Sequence, residues 1–208
     1  MNNDIETFLF LVPILFVSMT LHELAHAVVA TRLGDPTPRE QGRLSLNPIV
    51  HLDPMGTLMF VATYFLSNFL FGWAKPVSVN PRYFRRPKEG MAVVAFAGPA
   101  TNFVIALVCL AVVVHLDVGH EGFKVIARSY ELNLVLGIFN LIPIPPLDGS
   151  RIVGALLPDP MYVRWAQLDQ YGMFAVFGLL FLFGGEFQTL LGSAYSHSTN
   201  LMLRIVGG

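Results

Sequence analysis

Long apolar runs separated by short polar stretches dominate the chain. A bilayer core takes about 20 apolar residues as a helix, and five runs approach that length. The first covers residues 7–31, and its "FLFLVPILFVSM" carries no charge. The second is the uncharged stretch 54–74, and the third, 91–114, has 24 uncharged residues. The fourth, 132–147, ends in "PIPPLDG" and predicts a span over about 128–147. The fifth, 168–191, has an uncharged middle at 171–185. Between these runs the period changes. "RLSL" alternates polar and apolar, as a strand does, and Pro48, Asp53, Pro54 and Gly56 are turn formers. "AKPVSVNP" alternates at Val77 and Val79. The pattern predicts short strands around 44–46 and 77–79, paired in a small sheet. Residues 192–208 read as a loosely held end.

Composition turns these runs into membrane spans. The chain has 208 residues, enough for one domain. It is 54% hydrophobic and 13% charged, against about 25% charged in soluble domains. So little charge cannot cover a soluble core. The fold expected is an α-helical integral membrane protein. It is a polytopic bundle with a small cytoplasm-facing β-sheet or hairpin after the first helix. A net charge of −1 argues against nucleic acid as a partner. Cys109, alone in an apolar run, reads as a small hydrophobe. No Lys or Arg precedes Arg32, so the start does not read as a secretory signal.

Lys and Arg concentrate on the cytoplasmic side of a membrane. Residues 75–88 hold Lys75, Arg82, Arg85, Arg86 and Lys88, and the stretch after the first run holds Arg32, Arg39 and Arg43. Both stretches are therefore expected in the cytoplasm. A crossing by the second run would part them. Ser67, Asn68 and Gly72 interrupt that run, so 55–73 is expected as a hairpin or half-crossing. Four crossings remain, near 7–31, 91–114, 128–147 and 168–191, with both termini outside the cytoplasm. The chain reads as one multi-pass domain of the cell membrane, in contact with the lipid bilayer.

The polar residues inside the first run carry the chemistry. "TLHELAHAV" sets His22 and His26 four apart, on one face of a helix. Glu23 stands beside them. This is the HExxH arrangement, two zinc ligands with a glutamate base. Ionisable groups within a span are costly and mark function. A catalytic zinc takes three protein ligands and a water. His51, Asp53, His115 and Asp148 are candidates for the third. Asp148 follows a proline break, where irregular backbone lines a wet cavity. Asp148 equally suits the cap of a helix beginning "GSRIVGAL".

HELAH together with "NLIPIPPLDG" resembles the site-2 proteases, intramembrane zinc metalloproteases of peptidase family M50. "GRLSLNPIVHLDPMGT", "GWAKPVSVNP" and "AGPATN" extend the likeness to the compact prokaryotic branch. The resemblance implies Zn2+ held by His22, His26 and Asp148, with Glu23 as general base. It implies that Asn140 positions the substrate or polarises its carbonyl. It makes Asn102 a packing or substrate-strand position and leaves His51 without a clear role. No segment suits a PDZ or CBS domain. The substrate implied is a transmembrane protein whose helix unwinds before cleavage, held on the 44–46 or 77–79 edge. The alternatives are a membrane metal transporter or sensor, and a proteolytically inactive scaffold.

Overall fold

A computed structural model describes residues 2–66, 72–182 and 184–207, and these are mostly helical. Helix α1 (Asn2–Arg32) continues through Pro13. Its hydroxyls turn back on its own backbone: Ser18 Oγ donates to the Ile14 carbonyl and Thr31 Oγ1 to that of Ala27, each at 2.8 Å. Such bonds satisfy polar groups on an apolar helix. The helix closes at Gly34, whose φ of +105° suits glycine alone. Short α2 (Thr37–Glu40), a 3-10 turn (Pro48–His51) and α3 (Pro54–Leu66) follow. The 13 described residues of α3 span about 20 Å, short of the roughly 30 Å of a bilayer core. Residues 67–71, including the expected breakers Ser67 and Asn68, lie outside the described residues.

Helix α4 (Pro87–His115) packs along α1 and along α5 (Gly119–Asn140). Helices α6 (Asp148–Leu156), α7 (Asp159–Gln167), α8 (Gly172–Leu182) and α9 (Gly184–Val206) complete the chain. Among the described residues two helical segments are long and apolar enough to cross a membrane, Thr7–Arg32 and Pro87–His115. The fourth run, expected at 128–147, forms a helix that starts earlier and ends at Asn140. Its first half is charged, with ion pairs Lys124–Glu121 and Arg128–Glu131. The fifth, expected at 168–191, is described as a 3-10 turn (Leu168–Tyr171), α8 and α9.

The expected sheet does not form. Among the described residues no strand occurs, and one isolated antiparallel bridge joins Leu52 to Ala74. Side chains of α1 and of the turn after it take two of the N–H groups that a ladder would use. The Val77 N–H donates to Glu23 Oε2 at 3.0 Å and the Asn80 N–H to Asp35 Oδ2 at 2.7 Å. Pro76 and Pro81 have no N–H to offer. Ala74, Pro76, Val77 and Val79 line the cavity as extended backbone outside any sheet.

The end of the chain is not loose either. Helix α9 runs to Val206. Met202 packs against Ala106, Leu110, Tyr130 and Leu134, joining α9 to α4 and α5. Tyr195, Thr199, Met202 and Val206 recur every three or four residues, so they share a face. Tyr130 Oη donates to Thr199 Oγ1 at 2.6 Å, and His115 Nε2 donates to the Val206 carbonyl at 2.7 Å.

Candidate metal centre

The HELAH helix delivers two imidazoles to one point. His22 Nε2 and His26 Nε2 stand 3.0 Å apart. Asp148 Oδ2 completes a triangle, 3.1 Å from the first and 3.3 Å from the second. Ligand atoms about 2.0–2.1 Å from a tetrahedral zinc lie roughly 3.3 Å from one another. The three donors fit that spacing, and their types suit zinc. The far side of each ring is fixed as well. His22 Nδ1 donates to Asn102 Oδ1 at 2.5 Å, and His26 Nδ1 donates to the Val94 carbonyl at 2.7 Å. Protons held there leave the Nε2 lone pairs pointing inward.

Two glycines make room for this triangle. Gly98 of α4 passes directly over the imidazoles, and a Cβ there would fall on the Nε2 atoms of both His22 and His26. Gly149 presses on the Leu141 and Ile142 carbonyls at the end of α5, where any side chain would collide. That close approach turns the chain sharply after the proline cluster and brings Asp148 back toward α1. Leu147 occupies the N-cap of α6, and no side chain caps it. The Asp148 carboxylate faces the histidines instead, so the capping alternative drops.

The other candidate ligands lie elsewhere. His51 is buried and donates from Nε2 to the Ser45 carbonyl at 2.9 Å. Asp53 Oδ1 accepts the Gly56 N–H at the start of α3. His115 stands at the far end of α4. Among the described residues His22, His26 and Asp148 form the one group placed to share a metal ion.

A cavity of about 530 Å³ opens onto the triangle. Glu23 and Asn140 line it with the three donors, while Met19, Trp73, Val77, Phe139 and Val176 supply apolar wall. Asn140 Nδ2 donates to the Leu136 carbonyl at 3.0 Å. Asn102 is fully buried behind His22 and holds that ring; it is not a strand-holding position. Sequence reading overlooked Gly98, Asn133 and Arg43. The signal for Asn133 was present, an amide on the apolar side of a helix. Arg43, 3% exposed, donates to the carbonyls of Val50, Lys75 and Pro76. It therefore fastens the segment whose Val77 N–H holds Glu23. Arg43→Ala is expected to keep zinc and to lower cleavage by up to roughly 100-fold, the scale of a small misplacement near the chemistry. Faster limited proteolysis across residues 43–80 would accompany it.

Comparison with known proteins agrees with this geometry. The profile of Peptidase family M50 matches residues 119–183, which include Asn140 and Asp148. YwhC of Bacillus subtilis, named as a candidate zinc metalloprotease, is 43% identical over 183 residues, covering 83% of this chain and 80% of that protein. A solved site-2 protease from Methanocaldococcus jannaschii superposes with a TM-score of 0.53 at 28% identity, covering 92% of this chain and 76% of the other. The chain belongs to the site-2 protease family. A zinc metalloprotease of Methanocaldococcus jannaschii is 32% identical over 157 residues, 76% of this chain but 37% of that longer protein. Site-2 proteases are membrane-embedded and zinc-dependent, and the chain is an intramembrane zinc metalloprotease. The transporter and scaffold alternatives give way to that assignment.

Proposed function

We propose that this protease cuts peptide bonds of transmembrane helices, with His22, His26 and Asp148 holding its zinc and Glu23 as general base. The observation that carries the reading is the convergence of three donor atoms from α1 and α6 on the wall of a cavity that also holds Glu23. Zinc held there supplies a Lewis acid that polarises a carbonyl and makes water a nucleophile near neutral pH. The Val77 N–H orients the Glu23 carboxylate through Oε2. Glu23 takes a proton from the attacking water and passes it to the leaving amide nitrogen as the C–N bond breaks. Asn140 directs an N–H at the substrate carbonyl.

Cavity size supports a locally unwound substrate. One helical turn about 10 Å across and 5.4 Å long occupies roughly 420 Å³. The cavity therefore takes a few residues and not a whole span. Basic residues support a multi-pass arrangement in the cell membrane with both termini outside the cytoplasm. Arg39 and Arg85 are both exposed, and cysteines placed there are expected to react with an impermeant thiol reagent only from the cytoplasmic side. Labelling of one from each side would overturn that topology.

The first experiment is zinc content per chain in detergent-purified protein. One zinc in the parent and at least about tenfold weaker binding in Asp148→Ala is expected, since loss of a mere partner behind a metal ligand already costs that much. Full zinc in the variant would remove Asp148 from the site. Cleavage of a membrane-embedded helix carrying a helix-breaking pair, with the uninterrupted helix left intact, is the matching test of substrate.

A further inference from the structure

Behind His22 a line of buried polar side chains crosses three helices. Ser18 of α1, Asn102 of α4 and Asn133 of α5 are 2%, 0% and 1% exposed. Their hydrogen bonds run in one direction, and the ends of the line decide which. Backbone carbonyls only accept. Ser18 Oγ spends its hydrogen on the Ile14 carbonyl at 2.8 Å. Asn133 Nδ2 donates to the Ser129 carbonyl and to Ser18 Oγ, each at 2.8 Å. Both amide hydrogens are then used, and Asn133 Oδ1 faces α4. It accepts from Asn102 Nδ2 at 2.9 Å. Asn102 Oδ1 must therefore face His22 Nδ1, 2.5 Å away, where it can only accept. His22 is left with its proton on Nδ1 and its lone pair on Nε2.

We propose that Asn133 is a positioning residue of the metal centre: by fixing which way the Asn102 amide points, it sets the tautomer of His22 that binds zinc. The proposal rests on His22 being a zinc ligand. Something has to hold that tautomer, because Asp148 Oδ2 lies 3.1 Å from His22 Nε2. Before zinc binds, a carboxylate so placed favours a proton on Nε2, through a charge-assisted hydrogen bond. That proton would block the metal. In the neutral ring a proton on Nε2 leaves Nδ1 bare, and the Asn102 amide would then have to turn its NH2 toward the ring. The turn would set Asn102 Oδ1 against Asn133 Oδ1, two buried acceptors with no hydrogen between them. The relay thus opposes the tautomer that cannot take zinc. Without Asn133 the amide is free to turn, and the fraction of protein ready to bind falls, weakening apparent affinity by the same factor.

The test is a double-mutant cycle on zinc affinity, measured by competition with a chelator in detergent-purified protein. Asn133→Leu is expected to weaken zinc binding about 10- to 100-fold, the range for partners behind a metal ligand. In the background of Asn102→Asp the same change is expected to cost less than about threefold or to strengthen binding, because both carboxylate oxygens accept, no direction is left to lose, and leucine removes the Asn133 oxygen that would face the second of them. A packing role predicts equal losses in the two backgrounds, and that result would overturn the proposal. So would an Asn133→Leu protein that binds zinc as the parent does. Melting of the zinc-free proteins checks the fold. Should Asn133→Leu fail there, Asn133→Ala takes its place with the same expectation, since water filling the gap donates or accepts either way. A parent without zinc, or His22→Ala retaining full zinc, would overturn the ligand assignment itself, a result distinct from failure of the relay.

Discussion

Gly98→Ala is expected to empty the metal centre while leaving the helices in place. The added carbon would lie well within contact distance of both Nε2 atoms that face the metal position. Nonbonded carbon needs about 3.5 Å or more. Helix α4 would have to lift from α1 by roughly the difference, and zinc sites hold their ligand distances to about 0.2 Å. The same lift would pull Asn102 and Val94 away from the Nδ1 atoms they hold, since both are on α4. Zinc per chain after dialysis against a mild chelator is expected to drop from one to near zero, and cleavage with it. Gly178→Ala is the control: among the described residues nothing lies within 4 Å of its added carbon, so zinc and activity should match the parent. Full zinc in Gly98→Ala would mean that the ligand triangle sits differently from the arrangement described.

HELAH was legible because helical spacing is local: residues four apart share a face whatever surrounds them. Asp148 was narrowed to two roles, ligand or cap. Only the turn at Gly149 against the Leu141 carbonyl decides between them, and that contact belongs to tertiary structure. The expected strands failed for a related reason. Residues 44–46 and 77–79 have the right period, but side chains from elsewhere in the fold bond backbone groups in and beside them: Glu23 takes the Val77 N–H, Asp35 the Asn80 N–H, Arg43 the Lys75 carbonyl and His51 the Ser45 carbonyl. Period reports what a segment can do, not which partner arrives first. The tail misled through composition. Ser196 and Thr199 look like loop residues, yet each donates to the carbonyl four residues back, and Met202 enters the core beside them. Asn133, and the bond from Asn102 to His22, could have been found. Both asparagines are amides within apolar helices, open to the argument already applied to the histidines, that polar groups at such depth are there for a partner.

Glu23→Gln is expected to produce a protein with full zinc and almost no cleavage. Glutamine keeps the length of the side chain and a carbonyl oxygen for the Val77 N–H, which donates to Oε2 at 3.0 Å in the parent. The anchor of segment 74–79 therefore survives. What is lost is the ability to take a proton from water and deliver it to the leaving nitrogen. Positioned proton transfer is worth about 10²- to 10⁴-fold, and Glu23 performs two such transfers in one turnover, so the loss should fall toward the upper end. Zinc content and melting temperature separate this from Gly98→Ala and Asp148→Ala, in which activity and metal vanish together. Cleavage within about tenfold of the parent, below what a general base contributes, would assign the base elsewhere in the cavity. Loss of zinc from Glu23→Gln would make the carboxylate a partner of the metal. Zinc retained with cleavage abolished leaves Glu23 the one role that its place beside the ligands allows.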